Sequence, residues 1–212
     1  YGNNRDWGVL KSSDDGLTWE QIPIEVNVPK ADCPVEIEGV YLGNGNILVL
    51  GRKDSNEGTV AMFQIQSSDY GETWTKEYTN ITDAVGSSPS MILDKESGEV
   101  TLYFFARSSG QLKRRVVIGA GGWINPLNWS ASEVLISEPY KGQDTGNVKS
   151  VVKDGIHYCT YYAGTSTTTG VYGVVINPNF SDGSESEQPT EKSVEVNVIK
   201  DGAGNISAVE KL

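Results

Sequence analysis

The sequence predicts an all-β protein, a β-propeller of four-stranded antiparallel blades, and three observations carry that prediction. Strand-forming runs alternate with Asn-Gly, Asp-Gly and Gly-Asn turns along a chain of 212 residues that holds 24 Gly, 10 Tyr and 5 Trp. No long stretch shows the 3.6-residue apolar spacing of an amphipathic helix. One octet, Ser-x-Asp-x-Gly-x-Thr-Trp, occurs twice in phase: SSDDGLTW at 12–19 and SSDYGETW at 67–74, 55 positions apart.

That period recurs in other registers. A further step of 55 from Trp19 and Trp74 lands on Trp129, in INPLNWS, where the octet's Asp and Gly positions hold Ile124 and Pro126. Pro34 steps to Pro89 and then to Asp144, and Arg52 steps to Arg107 and then to Tyr162. Several registers sharing one period indicate a repeat architecture in which each unit is one supersecondary element.

The elements follow in order. WGVLKS, the first octet and TWEQIPI supply the last two strands of a blade. VEIEGVYL (35–42) turns through GNGN into ILVLGR (47–52), then come TVAMFQIQ (59–66), the second octet and a strand from Thr73. SMILD (90–94) turns through KESGE into VTLYFFAR (100–107), followed by RRVVIG (114–119) and SEVLIS (132–137). NVKSVV (147–152) turns at Lys153-Asp154-Gly155 into IHYCTYY (156–162), and GVYGVVIN (170–177) follows the polar loop GTSTTT. After the acidic stretch SDGSESEQPTEK, residues 193–212 supply two more strands, SVEVNVI and NISAVEKL. The expected blade pieces are about 1–27, 33–80, 88–137, 145–180 and 192–212, all within one propeller domain or segment. The two end pieces either join to close a small ring or belong to a longer five- or six-bladed ring.

Composition narrows the function. The net charge is −11, and no Lys/Arg cluster exists to displace counterions from a phosphate backbone, so nucleic acid is not an expected partner. No apolar run of 18 residues is present, so no membrane-spanning helix is expected. The chain begins at Tyr1 rather than Met and is expected to be processed or part of a longer polypeptide with other domains. Cys33 and Cys159 pair only if the fold brings them together, and two buried free thiols is the alternative. The single histidine, His157, excludes a His-rich metal site and reads as a packed strand residue. No His-Glu-x-x-His, Cys-x-x-Cys or Gly-x-Ser-x-Gly occurs, and neither metal nor cofactor is expected.

The octets resemble the Asp-box, the bacterial neuraminidase repeat of the sialidase superfamily, and both copies match it at every defined position. The resemblance covers residues 7 to about 177 and is specific for the fold rather than for an activity. Its physical logic is structural. Asp14 and Asp69 accept backbone N–H bonds across a tight turn, and Gly16 and Gly71 permit positive φ. Ser12 and Ser67 open the octets, Thr18 and Thr73 start the outer strand, and Trp19 and Trp74 lay a ring between that strand and the sheet. The degenerate third copy lost the Asp and kept the Trp, which supports a structural role.

The resemblance implies that the octet hairpins lie on one face and that substrate binds on the other. Arg52 and Arg107 end equivalent strands on that other face, and a guanidinium fork matches a carboxylate, so both are expected to hold an acidic sugar. The alternative for each is a rim ion pair or cation–π contact. Arg114 and Arg115 lie within a third strand and are weaker candidates. Sialidases use a Tyr nucleophile with a Glu as its base, which points to Tyr162, although strand alternation turns only one of Tyr161 and Tyr162 inward. Asp32, Glu36, Glu38 and Asp144 lie near the starts of inner strands; Asp32 is a candidate for binding, and Glu36 and Asp144 for acid–base work. Glu36 and Glu38 are expected to share one strand face.

The sequence also departs from the family. The Phe-Arg-Ile-Pro type segment is absent, and no Arg stands at the register of Tyr162. Three functions follow as expectations: a sialidase-like glycoside hydrolase of exo type or part of one, a non-catalytic propeller for glycan attachment, or a structural interaction propeller. The expected partner is a glycan or glycoconjugate, and the expected setting is extracellular, secreted, or on a cell surface or virion.

Overall fold

The computed structural model describes residues 4–53, 61–84, 86–119, 122–139, 145–165, 169–177, 196–200 and 206–211. They form β-strands and one 3₁₀ turn, Lys30–Asp32. The first pair is β1 (Asn4–Lys11) with β2 (Glu20–Pro29). Next is a four-stranded antiparallel sheet: β3 (Pro34–Gly43), β4 (Asn46–Lys53), β5 (Phe63–Ser67) and β6 (Thr75–Tyr78). A second such sheet comprises β7 (Ser90–Leu93), β8 (Glu99–Ala106), β9 (Gln111–Ile118) and β10 (Glu133–Ser137). Three strands follow, β11 (Gly146–Lys153), β12 (Ile156–Gly164) and β13 (Thr169–Ile176). The last hairpin pairs β14 (Val196–Lys200) with β15 (Ile206–Lys211). In each four-stranded sheet the strands neighbour one another in chain order, and β7 packs against both β3 and β11. This is the arrangement of propeller blades, with first strands adjacent.

The core lies between blades rather than within one. Along β8, Val100, Leu102, Phe104 and Ala106 are buried with Leu48, Leu50, Met62 and Trp129 toward the preceding blade. Tyr103 and Phe105 point the other way and are buried with Val148, Cys159 and Tyr161 of the following blade. Period-2 alternation therefore serves two cores at once, which is why VTLYFFA has no polar face to water. Truncating fully buried Phe104 to Ala is expected to cost about 3–5 kcal/mol.

Cys33 and Cys159 are both buried thiols, and burial pushes the Cys159 thiol up to about 12. His157 is buried, with its Nδ1 2.7 Å from the Tyr103 hydroxyl. Burial, reinforced by the charge of Arg114, holds its pKa below the ordinary histidine value. The acidic stretch 181–192 lies outside the described residues, as does part of the GTSTTT loop.

Candidate functional site

The octets come first because they orient the blades. In the second one, the Ser67 hydroxyl donates to Asp69 Oδ1 at 2.8 Å and accepts from the Gly71 N–H at 2.8 Å. Asp69 accepts from the Thr73 N–H at 2.9 Å and from the Thr73 hydroxyl at 2.6 Å. Trp74 Nε1 donates to the Gly71 carbonyl at 3.0 Å. The first octet repeats the set through Ser12, Asp14, Gly16, Thr18 and Trp19. Hydrogen bonds from Thr18 and Thr73 lead in holding both aspartates down to about 2.

Two details differ from the sequence reading. The outer strands begin at Glu20 and Thr75, so both Trp residues and Thr18 and Thr73 still belong to the turn, along with a carboxylate that bonds them there. Trp19 is 61% exposed and caps its own hairpin rather than entering the sheet. Its ring lies over Gly16, as Trp74 lies over Gly71, and these glycines have φ of +85° and +84°.

The opposite rim gathers residues from three successive blades. Arg52, near the end of β4, faces the start of β3 and grips Glu36 bidentately, Nε to Oε2 at 2.6 Å and Nη2 to Oε1 at 2.8 Å. Its Nη1 donates to the Lys53 carbonyl at 3.1 Å. That hydrogen bond from Arg52 outweighs an upward push from burial and keeps Glu36 below the usual carboxylate range. The charge of Arg107, in the next blade, contributes to the same lowering. Gly146, opening β11 with φ +127°, lies against Arg107: a Cβ there would stand 3.4 Å from Arg107 Nε. Gly146 in turn pairs with Tyr162 of β12.

Backbone irregularity builds this rim. A register shift interrupts β3 between Val35 and Glu38, and Glu36 adopts φ +51°. A shift between Gly146 and Lys149 interrupts β11, where Asn147 adopts φ +50°. Bulges at a blade's entry re-aim side chains. The first of them corrects one expectation: Glu36 and Glu38 do not share a face in simple alternation. Glu36 goes to Arg52, whereas Glu38 meets Lys149 of β11.

The remaining sequence-selected residues are placed as follows. Tyr161 is buried between Phe105, at a centroid distance of 5.3 Å, and Tyr172, at 5.5 Å, and its hydroxyl donates to Glu138 at 2.5 Å. Alternation therefore leaves the half-buried Tyr162 on the other face. Asp32 is directed elsewhere: its carboxylate accepts from the Tyr78 hydroxyl at 3.1 Å, toward the outer strand β6. Asp144 lies outside the described residues. Arg114 is bonded to Glu133, and Arg115 to Asp83 at 2.9 Å and to the Ser130 carbonyl, so both brace sheet edges.

Sequence reasoning missed Gln64 and Gln66, both buried in β5. Their amides donate to the Ile124 carbonyl at 2.7 Å each, and Gln66 Oε1 accepts the Ile124 N–H at 2.9 Å. Gln64 Oε1 accepts from Trp129 Nε1 at 2.8 Å. The signal was available: two glutamines at i and i+2 on an otherwise apolar strand. Gly146 and Asn147 were missed because positive φ has no periodic signature. Among the described residues, no group of three or more His, Cys, Asp or Glu side chains is arranged to hold a metal ion, and no helix is long and apolar enough to cross a membrane.

Known proteins give likeness of structure but not of sequence. No family model matches the chain, and no curated protein matches it. The endosialidase of phage phi92 superposes with a TM-score of 0.59 at 13% identity, over 97% of this chain and 36% of that one. The Penicillium chrysogenum α-L-arabinanase, solved with arabinobiose, gives 0.57 at 14% identity, over 95% and 60%. The GH93 α-L-arabinofuranosidase of Fusarium graminearum, also solved with arabinobiose, gives 0.57 at 15% identity, over 97% and 61%. The chain thus spans between about a third and three fifths of these chains' lengths. The likeness supports the propeller fold.

Proposed function

We propose that this chain is part or all of a carbohydrate-active propeller of the glycoside hydrolase type, acting on an acidic sugar at the rim opposite the octets. The observation that carries the reading is the cluster of Arg52, Glu36 and Arg107, contributed by successive blades. Glu36 fixes the plane of Arg52, while Arg107, which the backbone of Gly146 approaches closely, supplies the second guanidinium. A pair of oriented guanidinium groups suits a carboxylate better than lysines would. Tyr162, across the strand pair from Gly146, takes the nucleophile's part in this reading. Glu36, held ionised, serves as a base or positioning carboxylate rather than as an acid. Asp144 remains the proposed acid and Asp32 an outlying binding residue. The sialidase type rests on the two Asp-box octets, as does an extracellular, surface or virion setting. The blade pieces given above are proposed as one propeller domain or segment.

The test is hydrolysis of a fluorogenic α-sialoside by the full-length protein and its Arg107→Ala and Arg52→Ala variants. Loss of two such contacts is expected to lower kcat/KM by about 10²–10³ each. Unchanged turnover in both variants, or cleavage of arabinan in preference to the sialoside, overturns the acidic-sugar assignment. One observation favours a second reading, glycan attachment without hydrolysis: Arg52 already spends its fork on Glu36. In that case the wild-type protein binds sialosides, Arg107→Ala abolishes binding, and no product forms.

A further inference from the structure

We infer that the flank between the second and third blades carries a second carbohydrate site, separate from the rim, that takes a neutral sugar ring. A groove of about 480 Å³ lies there, walled by Glu77 and Tyr78 on one side and by Trp123, Asn125 and Leu127 on the other.

Both aromatic surfaces are exposed, one held through its ring and the other through the backbone beside it. Tyr78 is 49% exposed, but its hydroxyl is bonded to Asp32 and one ring face packs on Phe63, with centroids 4.9 Å apart. Trp123 is 50% exposed, yet it precedes Ile124, whose N–H and C=O are both bonded to buried glutamines of β5. Two residues further on, the Pro126 carbonyl accepts from the Asn80 N–H at 3.3 Å. Exposed aromatic faces beside a few polar groups suit a sugar, because its C–H face is apolar and its edge carries hydroxyls. Glu77 and Asn125 supply a carboxylate and an amide at that edge.

Charge decides which sugar. Glu77 stands in the groove, Asp32 and Glu25 line the adjoining hollow, and Lys76, which lines it too, is already engaged by Glu25. An anionic ring meets net repulsion at this place, in a chain of net charge −11, and a neutral ring does not. The flank and the rim therefore select sugars of different charge.

The experiment titrates the full-length protein with cellohexaose, arabinohexaose and α2,8-linked trisialic acid by calorimetry, alongside Trp123→Ala, Glu77→Gln and Arg107→Ala variants. At least one neutral hexasaccharide is expected to bind. Trp123→Ala should weaken it about tenfold or more, and Arg107→Ala should leave it unchanged. Thermal melts of Trp123→Ala, an exposed position, check that the fold survives; if it melts early, Glu77→Gln gives the same test with a smaller loss. Failure of the neutral sugars to bind, or binding as tight as wild type by both Trp123→Ala and Glu77→Gln, overturns the site. So does trisialic acid binding that Trp123→Ala abolishes, or self-association at this face without sugar binding. Loss of sialoside binding in Arg107→Ala alone speaks to the rim and leaves the flank standing.

Discussion

The second and third blades each set a Trp at the corner after their third strand, but they hold it with bonds of different range. In the second, the bonds among Ser67, Asp69, Gly71, Thr73 and Trp74 each span two to four residues, and the longer contacts of the octet, Tyr70 N–H to the Gly45 carbonyl and Glu72 to Lys11, leave the Trp corner alone. In the third, Trp129 donates to Gln64, 65 positions earlier, and Ile124 is bonded to Gln64 and Gln66. The Trp corner of the intact octet is closed by the octet's own residues. The degenerate one has given up its Asp and is welded to the blade before it. A repeat can therefore lose its motif and keep its place, provided the neighbouring blade supplies the missing polar partners.

This contrast breaks first at Gln64. Gln64→Leu fills the same volume but strands Trp129 Nε1 in the core, where Gln64 is 1% exposed and Trp129 3%. An unsatisfied buried donor makes the expected loss about 2–4 kcal/mol, read as a lower urea midpoint at unchanged slope. A loss below about 0.5 kcal/mol would mean that the two blades are not welded through this side chain.

Next comes the tryptophan itself. Trp129→Phe leaves Gln64 Oε1 without its donor and is expected to cost about 1–3 kcal/mol. Trp74→Phe removes a bond to the Gly71 carbonyl at a half-buried corner that water reaches, so about 1 kcal/mol or less is expected. Combining Gln64→Leu with Trp129→Phe should cost less than the sum of the two, whereas Gln64→Leu with Trp74→Phe should be additive. Additivity in the first pair would dissolve the proposed distinction between local and long-range closure.

The same contrast explains what could be read in advance. The octets, the 55-residue period and most strands were legible because they depend on local chemistry and period-2 alternation. Strand limits moved by a few residues: the third strand of its blade begins at Gln111 rather than Arg114, with Leu112 continuing the buried face. At the rim, Arg52 and Arg107 could be picked out from their shared register, but the Arg52–Glu36 grip could not. It depends on a bulge that puts Glu36 at φ +51°, a conformation no residue pattern announces. Asp32 was legible as a residue near the start of an inner strand, yet its carboxylate, at the end of the turn Lys30–Asp32, bonds Tyr78. Long-range partners such as Gln64 and Trp129 were legible only as oddities, polar residues where an apolar face was due.

The smallest effect expected near neutral pH lies in the intact octets, and acid brings it out. Asp14 and Asp69 fall from an ordinary 3.8 to about 2 in the folded chain, led by hydrogen bonds from Thr18 and Thr73. A folded-state pKa below the unfolded one means that the unfolded chain binds protons first as pH falls. The stabilisation is thus complete above about pH 4, declines as pH drops from about 3.8 toward 2, and is gone below that. Asn at both positions keeps an acceptor for the Thr N–H but cannot titrate. The Asp14→Asn/Asp69→Asn protein should therefore show a flatter dependence of urea midpoint on pH between 4 and 2 than the wild type. The Trp129 corner of the third blade has no such aspartate, so Gln64→Leu should lower the midpoint by a similar amount at every pH across that range. If the double Asn variant keeps the full acid sensitivity, the octet aspartates are not where the protein feels acid, and local closure is held by the hydroxyl and indole bonds alone.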